Sequence, residues 1–490
     1  MEKPESELIN RRLWIGLTAL AVVSAAVALL VFGRTDTRPG LAASQGVLDL
    51  RKWDFDRDGM VRLKGEWEFY WNELLPPEEG SDRGTAQNGQ RFVQVPNVWT
   101  NYDRGGGPYP GHGYATYRLT VLLPDGYGNG DNAGAPPPRL GLKIPDLSTS
   151  CAVYIDGHLF AFCGKPAASQ AEAVAKYQPQ VAVFEPTGSR MDIVVHISNY
   201  LYDRGGMWYA LELGTEKQAL IQRENALAMS LVLLGVFFFM GLYHLALYSL
   251  RPREKTALYF AIGCLIGAAR LFVVDEMFLL NLMPNASVEL ITAIVYLTYY
   301  GGVAILTLYL RELYPQDISI WAPRITLAVS TLFIATVFVL PLTIYTHMIR
   351  YYHLFMIAIG LYLIAGIFLA LWRARDGARL QFFGISCFVL SIFHDILFNI
   401  FYIAEFNPAS HTVQFLQRQI VLIGLFVLVF VQAVILARRF SKAFNDVERM
   451  SQELLSLDKL KDEFLTHTSH ELKTPLHGVM NLSQAMLDGA

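Results

Sequence analysis

The sequence predicts a multidomain membrane protein. It has an extracellular all-β jelly roll or sandwich, eight transmembrane helices (one anchor plus a seven-helix block), and a cytoplasmic parallel coiled coil leading into a further helical segment. Three observations carry this. Of 490 residues, 53% are hydrophobic and 17% charged, against about 25% charged in soluble domains. One apolar run near the N-terminus and seven in the second half have the length a bilayer requires. The loops between those seven alternate in basic content. The net charge of −3 argues against a nucleic-acid partner. The four cysteines form no Cys-x-x-Cys or Cys/His cluster, so neither a disulfide scaffold nor a structural metal is expected.

Residues 1–12 read as a cytoplasmic N-terminus, since Arg11 and Arg12 precede the apolar run 13–32. That run is longer than the core of a signal peptide, so an uncleaved anchor is favoured. Ala42-Ala43-Ser44 keeps late cleavage open. The seven later runs lie near 226–249, 256–275, 290–310, 325–342, 353–372, 380–401 and 414–437, within a block 224–438. Basic residues crowd the loops 251–255, 311–324, 373–379 and 438–442, while the opposite loops contain Arg350 as their basic residue. The block therefore starts outside and ends inside, and both termini are cytoplasmic. The expected location is a bacterial cytoplasmic membrane, crossed many times, with residues 35–223 outside.

Residues 47–213 read as the β-rich domain. Short runs at 118–123, 140–144, 152–155, 159–162, 181–184, 193–197 and 209–213 are separated by turn residues. Gly126–Pro138 reads as an exposed loop. Asp156-Gly157 marks a hairpin flanked by Cys151 and Cys163. A strict two-residue turn would put these cysteines on opposite faces; a three-residue loop over 156–158 would bring them opposite each other. A disulfide in this oxidising compartment stays open. Asp54-Phe55-Asp56-Arg57-Asp58-Gly59 imitates a calcium loop, but Gly65 stands where the twelfth-position Glu belongs, so it reads as a polar turn. Trp67, Tyr70 and Trp71 are expected in the core. Trp99, Tyr102, Arg104, His112, Arg204 and Trp208 lie in or beside Gly-rich loops, and two readings stand: stacking and hydrogen bonding to a small ligand, or core.

An ordered series of motifs resembles a known family. Gly65-Glu66-Trp67-Glu68-Phe69-Tyr70-Trp71, Val95-Pro96-Asn97-Val98-Trp99, Gly113-Tyr114-Ala115-Thr116-Tyr117-Arg118 and Val153-Tyr154-Ile155-Asp156-Gly157 precede Gly241-Leu242-Tyr243-His244 in the first run of the block. The order resembles seven-transmembrane receptors with diverse intracellular signalling modules and an extracellular sugar-binding-like jelly roll. The resemblance spans roughly residues 47–440. It implies sensing of a small molecule, with carbohydrate as one class, and leaves the ligand unidentified.

Polar groups inside the membrane are costly and often mark function. Arg270 is placed about five residues from the outer end of its helix. Asp395 lies at similar depth beside His394 and one turn before Asn399, and Arg418 about four residues inside the last helix. An ion-paired clamp is favoured over the floor of a ligand cavity. Cys264 and Cys387 read as apolar packing.

After the last span, over 439–464, Phe440, Ala443, Val447, Met450, Leu454, Leu457, Lys461 and Phe464 alternate by three and four. This is the seam of a parallel coiled coil, so a homodimer is expected. The seam runs into segment 460–490 and the box Ser469-His470-Glu471-Leu472-Lys473-Thr474-Pro475-Leu476. On a helix, His470 and Thr474 share a face one turn apart. A neutral imidazole accepts a phosphoryl group when a carboxylate takes its other proton, and Glu471 is placed to act as that base. Thr474 would position a water for the reverse hydrolysis, and Pro475 predicts a kink.

The box resembles the phosphoacceptor helix of sensor histidine kinases. The resemblance implies a two-component phosphorelay with a response regulator or receiver domain as partner. ATP and Mg are expected of the full-length kinase and are not bound by this chain, which contains no Gly-rich lid or Asn-rich nucleotide box and reads as a shortened piece, inactive alone. The alternatives are a membrane-anchored carbohydrate-binding receptor without kinase output, and a membrane glycosidase, for which no carboxylate pair is recognisable.

Overall fold

The structure is a computed structural model and describes residues 41–77, 91–127, 138–147, 149–274, 276–375, 377–401 and 411–489; the side chains of 395, 397–401, 411–419 and 422 lie outside that description. The anchor run 13–32 and most of the loop 126–138 are likewise outside the described residues.

The N-terminal region is β-rich, as expected. One sheet has the order β4-β3-β6-β11-β8-β9 (Arg91–Val95, Gly65–Trp71, Gly113–Leu122, Arg190–Asn199, Ser150–Ile155, His158–Cys163), with β1 (Val47–Asp49) parallel to β6. A second runs β10-β7-β13-β2 (Gln180–Phe184, Leu140–Ile144, Glu212–Thr215, Val61–Arg62). A short pair joins β12 (Gly206–Met207) to β5 (Asn97–Val98). Strands β6 and β11 are buried along almost their whole length, with Val, Ile, Leu and Thr pointing to both faces, which suits central positions. Both sheets feed one core holding Trp67, Phe69, Tyr117 and Val195 with Leu142, Phe184 and Leu213. Inside it, Asp192 accepts from Arg118 at 2.9 Å and Thr120 at 2.6 Å, and those partners hold its carboxyl below the usual range although burial opposes them.

Several boundaries differ from expectation. The run 209–213 pairs only over Glu212–Thr215, and β1, β3 and β4 lie outside the runs expected as strands. The Asp54 side chain caps the single turn Phe55–Asp58 by accepting from the amides of Asp56 and Arg57. The hairpin turn is the two residues Asp156-Gly157, not three, both with positive φ. Cys151 and Cys163 are nonetheless direct partners, because a bulge beside Val153/Tyr154 inserts one extra residue in β9. Both are buried and carry free thiols.

Seven helices of 17 residues or more follow among the described residues: α1 (Glu216–Leu250), α2 (Lys255–Leu271), α3 (Val288–Leu313), α4 (Trp321–Val339), α5 (Leu342–Trp372), α6 (Ala378–Phe401) and α7 (His411–Leu487). Five of them hold stretches long and apolar enough to cross a membrane, while α2 and the apolar part of α6, Ala378–His394, are shorter. Phe239, Phe338, Leu354 and Trp372 are exposed along these helices, as lipid-facing side chains would be. The protein is a multi-pass membrane protein. Three boundaries depart from the apolar runs. Helix α1 begins ten residues before 226; α5 begins at Leu342 and absorbs the expected loop 343–352; and α2 stops at Leu271, not 275. Arg270 therefore sits in the last turn of α2, where a cation also meets the helix dipole.

The core predicts a stability experiment. Trp67 and Trp99 are both fully buried. Trp67→Ala and Trp99→Ala should each cost about 3–5 kcal/mol in denaturant unfolding of the β-domain. Arg104→Ala and His112→Ala, both exposed, should stay within about 0.5 kcal/mol. Equal tolerance of Trp99→Ala and His112→Ala would contradict this core.

Candidate functional site

The structure sets the two Gly-rich loops against each other and places the loop residues proposed for a ligand in different surroundings. Trp99 is core: its indole donates to Pro110 O at 2.8 Å, and Gly205 lies so close over its ring that any side chain there would collide. Tyr102 is buried and donates to Gln94 O at 2.7 Å. Arg104 and His112 are exposed, Arg204 is half-buried, and Trp208 packs edge-on against Tyr202. The Arg204-Gly205-Gly206 piece is glycine-rich because Trp99 fills the space beneath it. Arg104-Gly105-Gly106 is a turn in which Asp103 accepts from the amides of Gly105 and Gly107.

A different arrangement lies where the β-domain meets the near ends of the helices. A cavity of about 240 Å³ is walled by Lys143, Asp146, Tyr177 and Tyr202 from above and by Arg223, Arg270, Glu276, Thr292 and Tyr296 from below. The Glu276 carboxylate is shared between Lys143 at 3.3 Å and Arg223 at 3.8 Å. The Tyr202 hydroxyl bonds to Thr292 of α3 at 2.8 Å and to the Tyr177 hydroxyl. Burial pushes both phenols well above their ordinary pKa, so both keep their protons at neutral pH. Asp203 and Arg350 of α5 add a 3.8 Å ion pair.

Arg270 lines this cavity and also a second, apolar one of about 120 Å³ between α2, α3, α6 and α7. Its guanidinium lies 5.5 Å over the Tyr299 ring and 3.4 Å from Val295 O. The expected clamp cannot be placed, since the side chains of Asp395, Asn399 and Arg418 lie outside the described residues. His394 is half-buried, and its Nδ1 is buried without a hydrogen-bond partner among the described residues. Sequence reasoning found Arg270 by its cost in a membrane. It missed Lys143, Tyr177, Glu276 and Thr292, which come from four separate segments and carry no shared pattern.

Past the last apolar stretch, α7 continues without interruption through Arg438 to Leu487, with Pro475 inside it. No break separates span, seam and box. Phe464, Leu457 and Leu454 are 68%, 64% and 69% exposed, leaving the seam without a partner surface in a single chain. His470 is exposed and shares a shallow groove with Asp462, Glu463, Thr466 and His467. Thr474 Oγ1 donates to His470 O at 3.0 Å, so the two residues share a face as expected while the hydroxyl is held by the backbone.

Residues 227–439 match a family described as 7TM diverse intracellular signalling. The match supports a transmembrane signal-transducing receptor. It covers the helices and neither the β-domain nor the histidine box. No curated protein matches the chain. Among solved structures, Faecalibacterium prausnitzii β-glucuronidase is similar at 13% identity and a TM-score of 0.24, covering 32% of this chain and 31% of that one. A β-glucuronidase from Ruminococcus gnavus in complex with uronic isofagomine follows at 16% and 0.22, covering 31% and 28%. A GH2 β-galacturonidase from Eisenbergiella tayi gives 16% and 0.21, covering 31% and 24%. The chain spans less than a third of each.

The hydroxyl bridge between domain and bundle is testable. Tyr202→Phe and Thr292→Val should each cost about 0.5–1.5 kcal/mol. Their double variant should cost less than the two singles added, because the same bond is lost twice. Thermal unfolding of the purified full chain reads this, and strict additivity would mean the bond is not formed.

Proposed function

We propose that this receptor is the sensory and transmembrane part of a dimeric histidine kinase that passes an external signal to phosphorylation of His470. The observation that carries the reading is the box 469–476 on an exposed helix that runs unbroken from the last span. Its chemistry is simple. The His470 imidazole attacks the γ-phosphorus of ATP held by a kinase domain, a P–N bond forms, and ADP leaves. Glu471 takes the proton from the other ring nitrogen. Thr474 would turn from the His470 carbonyl to place a water when the phosphate is hydrolysed. The apolar seam 440–464 is proposed to pair with a second copy, and the phosphate to pass to a response regulator or receiver domain. The sensed molecule is small and polar and acts outside a bacterial cytoplasmic membrane. A membrane-anchored carbohydrate-binding receptor without kinase output would leave His470 without a phosphate.

Joining the chain to a matching ATP-binding domain should give acid-labile label from ATP in membrane vesicles. His470→Gln should abolish it, and Thr474→Ala should spare labelling while impairing dephosphorylation. Undiminished label in His470→Gln would move the site to His467 or His477 and overturn the assignment.

Orientation is tested separately by fused reporters. Fusions at Asp125 and Met283 should report outside, and those at Pro252, Asp317 and Asn445 inside. One fusion on the wrong side breaks the topology, because each later loop then inverts.

A further inference from the structure

We propose that the cavity between the β-domain and the near ends of α1–α3 binds a small carboxylic acid as its anion, with Arg270 as the receiving group. Four observations lead there. Among the described residues the walls carry three cations, Lys143, Arg223 and Arg270, and two acids, Asp146 and Glu276. One of those acids is already divided between two cations. Arg270 meets no carboxylate within ion-pair distance among the described residues; its contacts are a carbonyl at the long limit of a hydrogen bond and a ring face. The volume, about 240 Å³, lies below the roughly 300–1,000 Å³ of sites for drug-sized ligands.

A planar carboxylate fits the fork of a guanidinium with two parallel hydrogen bonds, and a site poor in water strengthens both. Val273, Ile291 and Tyr296 give the ligand an apolar flank. A neutral molecule of the same size would make no charge-assisted pair with the Arg270 guanidinium, which is the basis of selectivity. A bound anion would touch β-domain and bundle together and compete with Glu276 for Arg223. This proposal rests on the sensing reading above only for its consequence. Binding is measured without any kinase readout, so the two can fail separately.

The test uses the full chain in lipid nanodiscs, with thermal unfolding and calorimetry. Acetate, lactate, pyruvate and succinate are compared with glycerol, glucose and inorganic phosphate. At least one acid should raise the unfolding temperature, while glycerol and glucose do not. Arg270→Gln should weaken that acid at least tenfold, with partial recovery in Arg270→Lys. Should Arg270→Gln not fold, Arg223→Gln at the half-exposed rim replaces it and should weaken binding at least threefold. The proposal is overturned if none of the four acids binds, if glucose or phosphate binds as well as the best acid, or if the foldable variants bind that acid as tightly as the wild type.

Discussion

Everything between the β-domain and the membrane depends on one residue that belongs to both. Thr215 is the last residue of β13, paired to Leu140 of β7, and also the cap of α1. Its hydroxyl accepts from the amide of Gln218, and the Gln218 side chain returns to the Thr215 amide. The same Gln218 donates to Phe55 O at 2.6 Å, and Glu212 of β13 holds both Arg62 and Gln222 of α1. Gly141 of β7 lies against Ala219, with no room for a side chain. A flexible linker would let the two parts move independently. Here the sheet ends where the first span begins, so a shift of β7 or β13 is a shift of α1.

That junction explains the position of the cavity. With α1 fixed to the second sheet, the ends of α2 and α3 are brought beneath β7 and the 177–180 and 202 loops, and polar groups from both bodies face one another. Glu276 and Thr292 supply the membrane side; Lys143 and Tyr202 supply the other. Below, the apolar space beside Arg270 reaches Leu425, Leu428 and Val429 of α7, and Tyr309 of α3 bonds to Gln432 of α7. On the opposite side of the bundle Asp317 holds Arg373 at 2.6 Å and Arg375 at 3.3 Å, fixing the α3–α4 connection to the α5–α6 connection. The helices α2 and α3 thus touch the cavity at one end and α7 at the other.

The parts of this arrangement that repeat along the chain were legible in the sequence, and the parts that meet only in space were not. Apolar runs located each of the seven long helices among the described residues. Their ends were misplaced wherever a neighbouring element, not hydropathy, sets the boundary: α1 is extended by its cap at Thr215, α2 is cut short at Leu271 ahead of the turn that delivers Glu276. Most strands followed from alternation. The loop aromatics stayed open between ligand contact and core because glycine beside tryptophan has two meanings. Gly205 beside Trp99 is required by close packing, and a sequence cannot separate that from an open loop. Whether Cys151 and Cys163 face each other stayed open, since a bulge one residue long restores the register that the two-residue turn removes.

A receptor of this kind can shift its output only by the difference in affinity of a ligand for two arrangements of the bundle. Moving a population from 1:99 to 99:1 requires about 5.5 kcal/mol of such difference. Apolar contacts that slide past one another in lipid change little between arrangements. Ion pairs in a poorly hydrated cavity change much more, because removing one partner leaves the other charge uncompensated, at roughly 3–5 kcal/mol. The carboxylate of Glu276, divided between β7 and α1, is therefore the kind of group on which a small anion gains enough leverage. On the proposed reading, a change in the packing of α7 against α2 and α3 would travel to His470 along one continuous helix.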